Sequence, residues 1–170
     1  MRKVLILDTS ILCVWLDVPG MADCGPDCDK WDKNRVAEKI KLEEQDKTIF
    51  VLPLATIIET GNHIAQAQHS RRDRAVALAD LIKKSANEET PWAAFSQQSE
   101  LWAPEKLIGL AENWPDLASQ KMSLGDATIK DVAEFYATMS FRVEILTGDT
   151  GLKAYQPTEP IERPRRKRRE

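Results

Sequence analysis

The chain predicts a three-layer α/β/α fold around a central, mainly parallel sheet of four to five strands. Two observations carry that reading. Short β-branched or leucine-rich runs alternate along the 170 residues with longer segments of helical apolar period, the order that builds parallel sheets through helical crossovers. The first run, Lys3 to Leu7, is apolar at four of its five positions, as a strand covered on both faces must be. Right-handed crossovers then place the helices on the two faces of the sheet.

Taken in order, Lys3 to Leu7 is the first strand, and Thr9 to Leu16 reads as a helix. Residues 17–32 hold two Pro, two Gly and five Asp. That is turn chemistry, and the stretch is long for a connection inside a compact domain, so it is expected to be a loop that either has a function or is mobile. Asn34 to Asp46 is an exposed amphipathic helix with Val36, Ile40 and an edge Leu42 as its apolar positions. Ile49 to Leu52 is the second strand. Pro53 suits the start of the next helix, whose stripe is Leu54, Ile57, Ile58, Gly61, Ile64 and Ala65. The helix DRAVALADLIKK offers Ala75, Leu78, Ala79 and Ile82, and PWAAF reads as a short edge strand. Pro104 delays or kinks the helix that follows. SLGDATIKDVAEFYATM is a helix with Leu124, Thr128, Val132, Phe135, Tyr136 and Met139 on one side, and Val143 to Leu146 is the last strand.

Composition narrows the class. Apolar residues at 42% and charged residues at 30% describe a soluble globular chain, and no apolar run reaches the roughly 20 residues that span a bilayer. The start MRKVLIL has the basic pair and apolar stretch of a leader, but Asp8 interrupts it, and a cytoplasmic location is expected. Cys13 falls in an apolar helical stretch and is expected to be a buried free thiol. Cys24 and Cys28 in DCGPDCD are either half of a zinc site or two reduced loop thiols, and no second Cys pair or nearby His supplies the remaining ligands.

Charge is unevenly placed. The last eight residues hold six of the 24 basic residues and one of the 27 acids, so a net charge of −3 for the chain leaves −8 on residues 1–162. A basic block of this kind attracts polyanions by counterion release. Arg165, Arg166, Lys167, Arg168 and Arg169 are therefore candidate nucleic-acid contacts. A solubilising tail, a tail folded back on the acidic body and an import signal are the other readings. Arg71, Arg72 and Arg74 form a second basic cluster that either touches phosphates or makes a solvated helix face. Among the five tryptophans, Trp31 and Trp92 lie in loop-like surroundings and are the candidates for stacking on bases.

Four acids stand out by position. Asp8 ends the first strand, Asp149 follows the last, and Glu59 and Asp126 lie near helix starts. In a parallel sheet all four reach the carboxyl edge of the strands, where such folds place ligands. Taken singly, each has an ordinary role: Glu59 follows Thr56, and Asp126 follows Ser123, at capping-box spacing, while Asp8 and Asp149 suit turns. Taken together, carboxylates this close raise one another's pKa unless a divalent cation neutralises them, and Mg²⁺ is held by a few carboxylates plus substrate phosphate. The expectation is metal-dependent phosphate chemistry.

The same residues resemble a family. DTSIL after a strand, a Glu in the helix after the second strand, GDA opening a late helix and the Asp of LTGD after the next strand are similar to the PIN-domain ribonucleases, which include many bacterial toxins. The resemblance spans residues 3 to 150. It implies a PIN-like nuclease domain over 1–158, with the 17–32 loop inserted and 159–170 a basic tail. It further implies an Mg²⁺- or Mn²⁺-dependent endoribonuclease acting on RNA, with Asp8, Glu59, Asp126 and Asp149 as catalytic and metal-holding residues. Thr9 or Ser10 matches the family's hydroxyl beside the first Asp, and Thr147 joins them as a supporting residue. A toxin of this family implies an antitoxin-like protein partner and is compatible with a homodimer. The other class is a catalytically inactive PIN-like module that binds RNA or protein.

Overall fold

The computed structural model describes residues 2–158; the basic tail residues, Arg165 to Arg169 among them, lie outside the described residues. The chain runs through β1 (Lys3–Leu7), α1 (Thr9–Trp15), β2 (Asp23–Cys24), β3 (Trp31–Asp32), α2 (Lys33–Gln45), β4 (Ile49–Val51) and α3 (Leu54–Gln66). It continues through α4 (Arg71–Ala86), a 3₁₀ helix (Phe95–Trp102), α5 (Pro104–Ser119), α6 (Leu124–Thr138), β5 (Arg142–Leu146) and α7 (Thr150–Lys153).

The sheet is parallel, in the order β4-β1-β5, with Ile6 opposite Val51 on one side and Ile145 on the other. Successive side chains of a strand point to opposite faces, so β1 feeds two separate apolar clusters. Leu5 and Leu7 pack with α1, α2, α3 and α4, whereas Val4 and Ile6 pack with Ile129, Val132, Ala133 and Tyr136 of α6. All four are fully buried, which is why this strand carries no alternating polar residue.

Among the described residues the sheet has three strands, where four to five were expected. PWAAF contributes one isolated parallel bridge, Phe50 to Trp92, held by Phe50 N–H donating to the Pro91 carbonyl and Ala93 N–H donating to the Phe50 carbonyl. Pro91 has no N–H to extend a ladder, and three residues later the chain turns into the 3₁₀ helix. The 17–32 segment is better ordered than a plain loop, because β2 and β3 pair antiparallel through Asp23–Asp32 and Cys24–Trp31.

Two helical stripes also differ from the sequence reading. In α3 the buried positions are Thr56, Thr60 and Ile64, while Ile58 is exposed. The rotation follows from a polar contact: Thr56 Oγ1 donates to the Leu7 carbonyl at the end of β1 (2.9 Å). In α6 the sheet-facing stripe is Ile129, Val132, Ala133 and Tyr136, and Leu124 and Met139 face outward. Pro104 opens α5 at its first position, where a missing N–H costs nothing.

The opposite, amino edge of the sheet is closed by ions. Glu43 of α2 accepts hydrogen bonds from Lys39 (2.7 Å) and from Lys3 and Thr48 (2.5 Å each), and both lysines also pair with Glu144 of β5. Burial alone would raise the Glu43 carboxyl, but these three donors hold it at about 2. Among the described residues no helix is long and apolar enough to cross a membrane.

Candidate metal centre

Asp8 is set by the strand that precedes it and the helix that follows. Its backbone N–H continues the β1–β5 ladder onto the Leu146 carbonyl (3.1 Å), and its side chain caps α1. Asp8 Oδ1 accepts from the Thr9 N–H (2.6 Å), and Oδ2 accepts from the hydroxyls of Ser10 and Thr147 (2.7 Å each). The residue is buried, and these donors replace the water it has lost.

The two hydroxyls do more than hold Asp8. Ser10 Oγ also accepts from the Gly148 N–H (3.0 Å), and Thr147 Oγ1 accepts from the Asp149 N–H (2.9 Å). Through them the end of β1 and the turn after β5 are tied together. Asp149 caps α7, with Oδ1 accepting from the Gly151 and Leu152 N–H groups (2.6 and 3.2 Å). It is exposed, and its second oxygen makes no hydrogen bond among the described residues.

Glu59 is no cap. Pro53 precedes α3 without a side-chain cap, and Thr56 is committed to the Leu7 carbonyl, so the capping-box reading of this pair falls. Glu59 instead accepts from Thr9 Oγ1 (2.8 Å) and lies against the start of α6. A methyl group on Gly125 would come within 2.0 Å of Glu59 Oε1. The Ser123–Asp126 pair is a cap as expected: Ser123 Oγ accepts from the Asp126 N–H (3.0 Å) and donates to Asp126 Oδ2 (2.8 Å).

Four elements thus deliver the four acids to the carboxyl edge of the strands. Asp126 senses them all: burial first, then the charges of Asp8, Asp149 and Glu59, raise its carboxyl above the ordinary range, opposed by the Ser123 hydroxyl. That mutual repulsion is what a cation relieves. Yet among the described residues no three His, Cys, Asp or Glu side chains are close enough to hold one ion. The donor set is all oxygen and suits a hard ion that binds one or two carboxylates and keeps waters; it does not form a closed all-protein shell.

The sequence reading missed two parts of this edge. One is Gly125, whose lack of a side chain makes room for Glu59. The other is the β2–β3 hairpin, which closes on the turn after β5. A methyl group on Gly148 would lie 2.7 Å from both Cys24 Sγ and the Gly25 N. Burial raises the Cys24 thiol, partly offset by a hydrogen bond with Ser10, and the Asp8 charge adds to the rise. The 17–32 segment is therefore a wall of the site. The signal lay in GDA and TGD: a glycine beside an acid marks close approach of another group.

Trp31 and Trp92 are both buried, so neither offers a face to a base. Trp31 is covered by the Arg35 guanidinium (3.8 Å to the ring centroid), and Trp92 packs edge-on against Phe50. Cys13, Cys24 and Cys28 are all free, and burial pushes the Cys13 thiol up to about 11. In the second basic cluster Arg74 pairs with Asp17 (3.1 Å) and Arg71 Nε donates to the Ala67 carbonyl. Arg72 is exposed at the helix start.

Gly125→Ala separates site from fold. Alanine gains roughly 0.5–1 kcal/mol of helix propensity, and the displaced atoms are the flexible end of Glu59. The expected result is unchanged thermal stability, and, on a nuclease reading of the site, RNA cleavage at least about tenfold lower. Wild-type cleavage would show that the Glu59 position does not matter. Comparison of the chain with protein-family models, curated proteins and solved structures finds no match.

Proposed function

We propose that this chain is a metal-dependent endoribonuclease of PIN-like, three-layer design, hydrolysing RNA phosphodiester bonds with activated water. One observation supports the reading above others: the acids of four separate elements are tied to one sheet edge by hydroxyls, Thr9 joining Glu59 to α1 while Ser10 and Thr147 join Asp8 to the turn that carries Asp149. Acids that served only their own helices would have no reason to share an edge.

One or two of Asp8, Asp126 and Asp149 would hold a Mg²⁺ or Mn²⁺ ion that keeps several waters, with Glu59 as a further ligand or orienting one of those waters. When bound, such an ion supplies positive charge that acidifies water and stabilises the phosphate oxygens. The chain's own part is positioning. Ser10 and Thr147 fix the plane of the Asp8 carboxylate, Thr9 fixes Glu59, and Ser123 fixes Asp126. Because these hydroxyls sit on α1, at the end of β5 and at the start of α6, the acids keep their arrangement without relying on mobile loops.

The test is cleavage of end-labelled RNA with Mg²⁺ or Mn²⁺, with EDTA as the control, comparing wild type with Asp8→Asn and Asp126→Asn. Metal-dependent cleavage by wild type and loss in both variants is expected; undiminished cleavage in both sinks the assignment. The open spacing of the carboxylates favours one other reading, a PIN-like module that binds RNA or protein without turnover. RNA binding that survives EDTA, with no cleavage under any metal, selects it. A role as the toxin of a toxin–antitoxin pair, with an antitoxin-like partner or a homodimer, belongs to the nuclease reading.

A further inference from the structure

A groove of about 1170 Å³ runs between the 3₁₀ helix, α5 and α6. Its lining recurs at every third or fourth position on both sides: Glu105, Gly109, Asn113 and Asp116 along α5, and Ala127, Asp131, Phe135 and Thr138 along α6. The groove therefore follows one face of each helix over several turns. Spread along the roughly 24 Å of a 16-residue helix, that volume is a slot of about 50 Å² in section, the space for the inner face of a helix about 10 Å across. A small-molecule site is a more compact cavity of roughly 300–1,000 Å³.

The apolar lining is Leu101, Leu110, Leu117, Phe135 and Met139, and α5 has no buried residue along its 16 positions. An apolar stripe in this setting lacks its covering layer. Five carboxylates line the groove against two lysines, a formal net charge of −3. Lys130 is committed to Glu134 (2.7 Å), while Glu100, Glu105 and Asp116 are exposed and have no ion pair among the described residues. Such a field repels a phosphate backbone. It equally opposes a second copy, because a two-fold contact sets the same patch against itself, −3 against −3. What it attracts is an apolar stripe flanked by cations.

We infer that the groove between α5 and α6 is a docking site for a basic amphipathic helix of a partner protein, about four turns long. Its apolar stripe lies on Leu110, Leu117 and Phe135, and its flanking Lys or Arg side chains pair with Glu100, Glu105 and Asp116. Helix-in-groove recognition uses apolar anchors at i, i+3, i+4 and i+7, the period that both walls present. Charge at the edges sets partner choice and encounter rate more than affinity. A side-chain carbon on Gly109 would meet nothing within 4 Å, so the middle of α5 is open to a side chain of the partner. Ala127 lines the groove and follows Asp126 directly, which sets the docked helix beside the candidate metal centre, although docking itself needs no nuclease chemistry.

The probe is a labelled peptide as long as α5, 16 residues, with leucine at i, i+3, i+4 and i+7 and lysine elsewhere, titrated by fluorescence anisotropy against the full chain. Saturable one-to-one binding is expected. It should be at least about tenfold tighter than for the peptide with glutamate in place of lysine, or for one of the same composition with leucine at every second position. Gly109→Arg separates docking from folding: arginine favours a helix more than glycine does, its side chain enters open space, and its bulk and charge both oppose the peptide. Affinity at least about tenfold lower, with an unchanged or raised Tm, is expected. The triple variant E100Q, E105Q, D116N alters only exposed, unpaired side chains. It should bind severalfold more weakly, as should wild type at about 1 M salt, where the Debye length is about 3 Å. No saturable binding below about 1 mM, equal binding of the three peptides, or wild-type affinity in either variant once its melt shows it folded, overturns the docking site. So does a dimer, seen by sedimentation, that Gly109→Arg dissociates, since the occupant is then a second copy. No metal or RNA enters the measurement, so its failure leaves the nuclease reading untouched.

Discussion

Under the proposed nuclease function, replacing Asp8 with Asn is expected to lower metal-dependent RNA cleavage by at least about 100-fold, since loss of even an outer partner of a metal ligand costs up to about that much, while the protein stays folded. The two effects separate because Asp8 does two jobs that need different chemistry. As the cap of α1 it needs an acceptor for the Thr9 N–H, and Asn caps as well as Asp. At the other oxygen the amide nitrogen would face the Ser10 and Thr147 hydroxyls, which rotate and accept instead. The cost is about 1 kcal/mol, a fall in Tm of roughly 2–4 °C for a chain of this size. What Asn cannot supply is the negative charge that would hold the proposed cation. Circular dichroism and thermal melts beside the cleavage assay check both halves, and full activity in a folded Asp8→Asn protein removes Asp8 from the mechanism.

The largest stability effect is expected at the other end of the sheet. Glu43 is buried, and its carboxylate is met by Lys3, Lys39 and Thr48. Glu43→Gln keeps the shape but removes the charge, leaving two lysines that share only Glu144. Breaking a buried pair in this way costs roughly 3–5 kcal/mol; because both lysines are partly exposed, a loss of about 2–3 kcal/mol is expected. The pH dependence has a definite sign. The folded carboxyl sits at about 2 against an ordinary 4.5, so its stabilisation is fully present above pH 4.5 and is lost as pH falls toward 2. Urea melts of wild type and Glu43→Gln at neutral pH and in acid check this. The gap between them should close between pH 4.5 and 2, and a gap of the same size in acid would show that the charge is not the cause.

Legibility in the sequence followed the length of the signal. β1 was readable because a strand buried on both faces has no polar residue to interrupt the run, β5 because its apolar run is broken only by Glu144, and α2 because its few apolar positions stand out in a charged segment. The α3 stripe was misread because counting apolar residues ranks Ile58 above Thr56. Thr56 is nevertheless fully buried, since its hydroxyl finds the Leu7 carbonyl. Leu124 and Met139 were assigned to the core for the same reason, and they stay exposed because α6 turns its Ile129, Val132 and Tyr136 ridge to the sheet. PWAAF carries strand-like residues, but Pro91 and the turn at Phe95 limit it to one bridge.

What the sequence by itself determined is a parallel α/β scaffold and three acids, Asp8, Asp126 and Asp149, at the ends of its elements, because strand burial and chain order place those ends on one edge; Glu59 lies within α3. Their partners were decided by tertiary structure. Glu59 is 50 residues from the Thr9 hydroxyl it accepts from, and Thr147 is 139 residues from the Asp8 oxygen it donates to. Local spacing made Glu59 look like a cap for its own helix, whereas the fold hands it to α1 and to the gap left by Gly125. The β2–β3 hairpin looked like an insertion until Cys24 and Gly25 closed on Gly148. Such contacts depend on side-chain volume and hydrogen-bond geometry between distant segments, which no periodicity along the chain encodes.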